Sequence, residues 1–167
     1  MPENVHKHVT AMDMKMIAKI KKTNDGVLHG ELNCKFFEEP FLFSNIMDMV
    51  EMMEIAFDTK GFPERQFLPR AFGDKTHRIR KNEIDLPTLV KERSLPQIPA
   101  SKQQPGIVCT FEILVRYRHN AEWQGSVHLL EKNITTQFKS IIELVMYIDN
   151  ALSDTVTCSH HLSPDGA

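Results

Sequence analysis

The sequence predicts an α+β fold: two pseudo-symmetric βββα units sharing one core, with antiparallel sheet and two amphipathic helices on one side. Three observations predict it. The chain repeats itself, since aligning Gly30 with Gly125 brings Phe43/Phe138, Ile46/Ile141, Val50/Val145 and Ala56/Ala151 into register without a gap. Within each copy the apolar period changes from two, the mark of a strand, to about 3.6, the mark of a helix. One copy of about 45 residues buries too little apolar surface to be stable alone, so two are expected to share a core.

In the first unit, Met14, Met16, Ala18 and Ile20 alternate with Lys15, Lys19 and Lys21, which predicts a strand with one apolar face. Asn24, Asp25 and Gly26 supply a turn, and an extended run to Phe37 completes a hairpin. A short strand, Phe41 to Phe43, leads to Asn45 and Asp48, residue types suited to a helix start. Ile46, Met49, Val50, Met53, Ala56 and Phe57 then form the stripe of an amphipathic helix. The second unit repeats the order. Phe111, Ile113, Val115 and Tyr117 alternate with Glu112, Arg116 and Arg118, a turn falls near Asn120, and a second strand runs from Trp123 to Glu131. A third covers Thr135 to Phe138, and Ser140 with Glu143 forms an SxxE capping box. The stripe Ile141, Leu144, Val145, Ile148, Ala151 and Leu152 follows.

Both helices are apolar beyond one stripe. Met47 and Met52 in the first, and Ile142, Met146 and Tyr147 in the second, predict a further contact, either between the two helices or with a partner subunit. These five residues are the candidate interface.

The boundaries expected are a flexible tail over 1–10, the first unit over 11–59, a basic, proline-containing and partly docked connector over 60–105, the second unit over 106–154, and a flexible tail over 155–167. Within the connector, Phe62, Phe67, Leu68 and Phe72 have aromatic and aliphatic area enough to dock. HRIRKNEIDLPTLVKER is open to a strand or a short helix after Asp85 or Pro87.

The net charge of −2 gives no global reason to expect nucleic acid, yet Lys60 to Gln104 carries ten Lys/Arg against five Asp/Glu. Three unclustered cysteines, Cys34, Cys109 and Cys158, lack disulfide or zinc spacing and point to reduced thiols, hence to the cytoplasm. No apolar leader segment or membrane-length run is legible, so no membrane association is expected.

A strand carrying WxG followed by FxSxxEL at a capped helix, here Trp123, Gly125, Phe138, Ser140, Glu143 and Leu144, resembles a scattered class of short, uncharacterised bacterial proteins. The likeness covers Thr110 to Asp154. The first unit departs from it, with Leu28 for Trp123 and Asn45 for Ser140. The class implies no activity, so the resemblance bears on fold alone.

No GxSxG, phosphate-binding loop, HExxH or CxxC is present, and no catalytic residue, cofactor or metal site is assigned. The reading leans away from an enzyme. His6 and His8, with Cys158, His160 and His161, are soft ligands in expected tails, without the supporting shell a metal site needs. His29 and His128 occupy columns that do not coincide, and Asp48, Glu51, Glu54 and Asp58 read as a solvated helix face and a counter-surface for the basic connector. Trp123 reads as a core anchor. Lys15, Lys19, Lys21, Arg116 and Arg118, with His119, are expected on the sheet face away from the helices, joined there by Arg78, Arg80 and Lys81 of the connector. The result is a possible nucleic-acid face, with Phe111 and Tyr117 on the other side. The favoured function is a non-enzymatic binding or assembly protein whose first partner is a second copy in a twofold dimer. Nucleic-acid binding is the alternative, and an enzyme of unrecognised class comes third.

Overall fold

The computed structural model describes residues 8–66, 84–94, 103–119 and 122–158, with backbone alone at 103–107 and 154–158. In chain order the elements are β1 (Met16–Thr23), β2 (Leu28–Cys34), β3 (Phe41–Phe43), α1 (Ile46–Lys60), α2 (Leu86–Arg93), β4 (Gln103–His119), β5 (Glu122–Leu129), β6 (Ile134–Phe138) and α3 (Ile141–Cys158). The six strands form one antiparallel sheet in the order β3-β2-β1-β4-β5-β6, so the two expected three-stranded units join along β1 and β4.

The ladders of the two halves correspond at the spacing set by Gly30 and Gly125. Met16 pairs with Cys34 as Phe111 pairs with Leu129, and Ile20 with Gly30 as Val115 with Gly125. Gly30 pairs with Phe43 as Gly125 with Phe138. Across the central seam Met16 meets Ile113 and Ala18 meets Phe111, the reciprocal pairing about Ile17 and Glu112. Met16, Ala18, Ile20, Phe111, Ile113 and Val115 all lie on one face, and Met49, Met53 and Phe57 of α1 join Leu144, Ile148 and Leu152 of α3 in the same core. Five buried methionines, Met14, Met16, Met49, Met52 and Met53, fill that space.

Local chemistry sets the helix starts. The Asn45 side chain accepts from the amides of Met47 and Asp48. Ser140 Oγ accepts from the Glu143 amide at 3.1 Å, while the Glu143 carboxylate takes the Lys139 amide at 2.7 Å. That is one residue earlier than a capping box prescribes. α1 ends at Gly61, whose φ of 68° is the left-handed geometry glycine accommodates.

One expectation left open is decided and three are corrected. The open segment after Asp85 forms α2, a third helix. Met52 is not an interface residue: it is 1% exposed, because α2 closes that flank of α1. Leu86 and Val90 of α2 are buried, Ser94 Oγ accepts from the Leu42 amide of β3 at 3.1 Å, and Arg93 meets Glu51 of α1 at 3.0 Å. α3 continues to Cys158, four residues into the expected tail. Finally, a bulge after Val115 reverses the alternation of β4, so Tyr117 turns outward and Arg118 turns into the core.

Candidate functional site

The strongest candidate is the flank of the second half between α3 and the edge strand β6. Three residues of α3 expected at an interface are exposed, Ile142 at 71%, Met146 at 57% and Tyr147 at 37%, and Tyr147 lies on this flank. Ile142 and Met146 are one turn apart and share a face. Tyr147 borders a depression of about 180 Å³ that reaches down to Phe111, Val127 and Leu129 of the core and is rimmed by Ile134, Thr136 and Lys132. Ile134, 54% exposed, extends the apolar surface onto β6. Met47, the first-half counterpart of Ile142, is exposed as well, on α1. Ile134 and Thr136 carried no sequence signal, because β6 is short and mostly polar and only the neighbouring helix makes its inner face part of a groove.

The possible nucleic-acid face is broken up. Lys21 lies across from His29 and Val108, and Lys19 across from Glu31 and Thr110, so charges of both signs and an apolar residue alternate there. Lys15 is engaged with Glu112 at 3.0 Å. Arg116 is exposed at the bulge, beside Tyr117, whose ring stacks on His119 at 5.5 Å. Arg118 does not belong to this face. It is 3% exposed, and its guanidinium meets Glu54 and Asp58 of α1 at 2.8 Å each and the Pro63 carbonyl at 2.8 Å. Arg65 closes the cluster against the same two carboxylates, and the Trp123 indole donates to Glu54. Glu54 and Asp58 are therefore a structural ion network rather than a solvated face, and they are the counter-surface for Arg65 of the connector. The bulge that brings Arg118 inward leaves no mark in the alternation of residue types. Arg78, Arg80 and Lys81, like Phe67, Leu68 and Phe72, lie outside the described residues.

His29 is enclosed on the outer side of the sheet with Nε2 unpartnered. Burial first, then the nearby Lys21 charge, holds its pKa below the ordinary 6.5, so it is neutral at physiological pH. Burial pushes the Cys34 thiol up, away from thiolate chemistry. Among the described residues no three His, Cys, Asp or Glu side chains converge as metal ligands; His6, His160 and His161 lie outside them. No described helix is long and apolar enough to cross a membrane.

The chain matches no protein-family model, and neither a curated protein nor a solved structure matches it. Functional reasoning therefore rests on the surface itself.

Proposed function

We propose that the protein is a non-enzymatic binding or assembly module, working in the cytoplasm through the flank formed by α3 and β6, with a second copy as its first partner. One observation carries this reading. Tyr147 and Ile134 line an apolar depression beside β6, the edge strand of the described sheet, and Ile142 and Met146 stand exposed on the same helix as Tyr147, whereas the corresponding flank of the first half carries α2. Exposed apolar area beside an open strand edge is costly in water and is characteristic of a contact surface. The buried charges have a role within the chain. The Glu54, Asp58, Arg65 and Arg118 network lies between α1 and the second half's strands, where a role in holding the halves together accounts for it.

Light scattering across a concentration series tests it. The wild-type mass is expected to rise toward twice the 19.2 kDa of the chain, and Met146→Glu is expected to hold it at the monomer value. A wild type that stays monomeric at every concentration ends the self-association reading.

Tyr117 favours a second reading. Its outward ring beside Arg116 puts an aromatic among the basic residues, as a single-stranded nucleic acid platform requires. Retention that weakens steeply with salt, and with Lys19→Ala and Arg116→Ala, would support it. Absence of retention at low salt would end it.

A further inference from the structure

We infer that the depression between α3 and β6 is the seat for the Ile142 and Met146 ridge of a second copy, so that two chains dock reciprocally, each α3 in the other's groove. This rests on the proposed contact role of the same flank and names its occupant.

The first half shows what such a seat holds. The groove residues Phe111, Val127, Leu129, Thr136 and Tyr147 stand, at the spacing that relates all the ladders, where Met16, Leu32, Cys34, Phe41 and Met52 stand in the first half. All five of those counterparts are buried. α2 lies along that flank: Leu86 and Val90, one turn apart, are 1% exposed, and Ser94 fastens the helix end to the edge strand. A flank of this shape is therefore filled by a helix presenting two apolar residues at i and i+4. On the second half no such helix is seated among the described residues. The depression is smaller than the roughly 300 Å³ at which small-molecule pockets begin, and suits apolar side-chain anchors instead.

The ligand chemistry follows from the rim. In the first half, Glu38, Glu39 and Glu51 meet the basic end of α2 through Lys91 and Arg93. Their counterparts are Asn133, Ile134 and Met146, none of them charged, so the occupant must be apolar where α2 is basic. A ridge meeting both requirements lies on α3 itself. Ile142 and Met146 have the spacing of Leu86 and Val90, are the two most exposed apolar residues among the described side chains of that helix, and carry Glu143 alongside to face the partner's Lys132. Because α3 both carries the ridge and lines the groove, a twofold axis lets both copies use both features, the isologous arrangement that closes at two.

A charge exchange tests the pairing. Met146→Glu spoils the ridge, and Thr136→Arg spoils the groove. Each variant alone is expected at 19.2 kDa by light scattering, with circular dichroism confirming that it is folded. Mixed in equal amounts, they are expected to restore about twice that mass, since one contact keeps the wild-type ridge and groove and the other pairs Glu with Arg. Ile134→Glu, which places the first half's residue at this rim, is a second groove variant expected to weaken dimerisation at least about tenfold. Folded variants that stay monomeric on mixing overturn the inference. A Thr136→Arg chain that still dimerises, while Met146→Glu does not, overturns the groove as the seat but leaves the flank as the contact surface. A monomeric wild type overturns both.

Discussion

Gly125 and Gly30 each sit where the neighbouring strand crosses without room for a side chain. A Cβ on Gly125 would lie 2.0 Å from the Leu114 carbonyl oxygen, and one on Gly30 would lie 1.9 Å from that of Lys19. The oxygen is backbone and cannot yield, so Gly125→Ala is expected to lose about 2–3 kcal/mol, read as a lower urea midpoint at unchanged slope. Arg118 presents the opposite case, a residue needed for its charge. Removing it leaves Arg65 as the one described cation against Asp58 and Glu54 in this cluster, so Arg118→Ala is expected to cost about 3 kcal/mol, and a double-mutant cycle with Asp58→Asn should show strong coupling. His29 makes a pH prediction. Its folded-state pKa lies below the unfolded 6.5, so as pH falls below 6.5 the unfolded chain takes up a proton that the folded chain refuses, and stability is lost. Thermal melts at pH 7 and pH 5.5 should show that loss diminished in His29→Gln; an equal loss would clear His29 of the effect.

Among the elements, α3 begins at a cap legible from the sequence, and its energetics are local. Ser140 Oγ is the acceptor for the Glu143 amide, so Ser140→Ala should lower stability by about 1 kcal/mol, whereas Ser140→Asp should restore it. The contrast between the helices is instructive. Asp149 and Ser153 of α3 both hold Lys22 of β1, as their counterparts Glu54 and Asp58 of α1 hold Arg118 of β4. Each helix is thus tied to a strand of the other half. What separates them is α2, which converts one flank into core, whereas no described helix covers the other.

For the molecule as a whole, these crossed ties and the continuous β1–β4 ladder make the halves one folding unit. Phe57→Ala in α1 and Leu152→Ala in α3 are each expected to cost about 2–5 kcal/mol and to shift the same single transition, followed by Trp123 fluorescence and by helical dichroism. Two separated transitions would mean that the halves unfold independently. The same integration bears on assembly: the core is complete within one chain, so a dimer through the α3 flank adds contact without being needed for folding, and monomeric variants are expected to stay folded.

The sequence by itself determined the alternation of β1 and β4 up to Val115, both capped helix starts, the stripes of α1 and α3, and the spacing that relates the ladders. These depend on neighbours within one turn or one strand, where residue type and period suffice. It also named Ile142, Met146 and Tyr147 as apolar excess. Only the tertiary structure decided that Met52, the counterpart of Tyr147, is buried, since that depends on where a connector helix dozens of residues away comes to rest. Only the structure turned Arg118 inward, because one extra residue in a ladder inverts every side chain after it while leaving the composition unchanged. The groove, too, exists only once β6 and α3 lie side by side with no described residue between them.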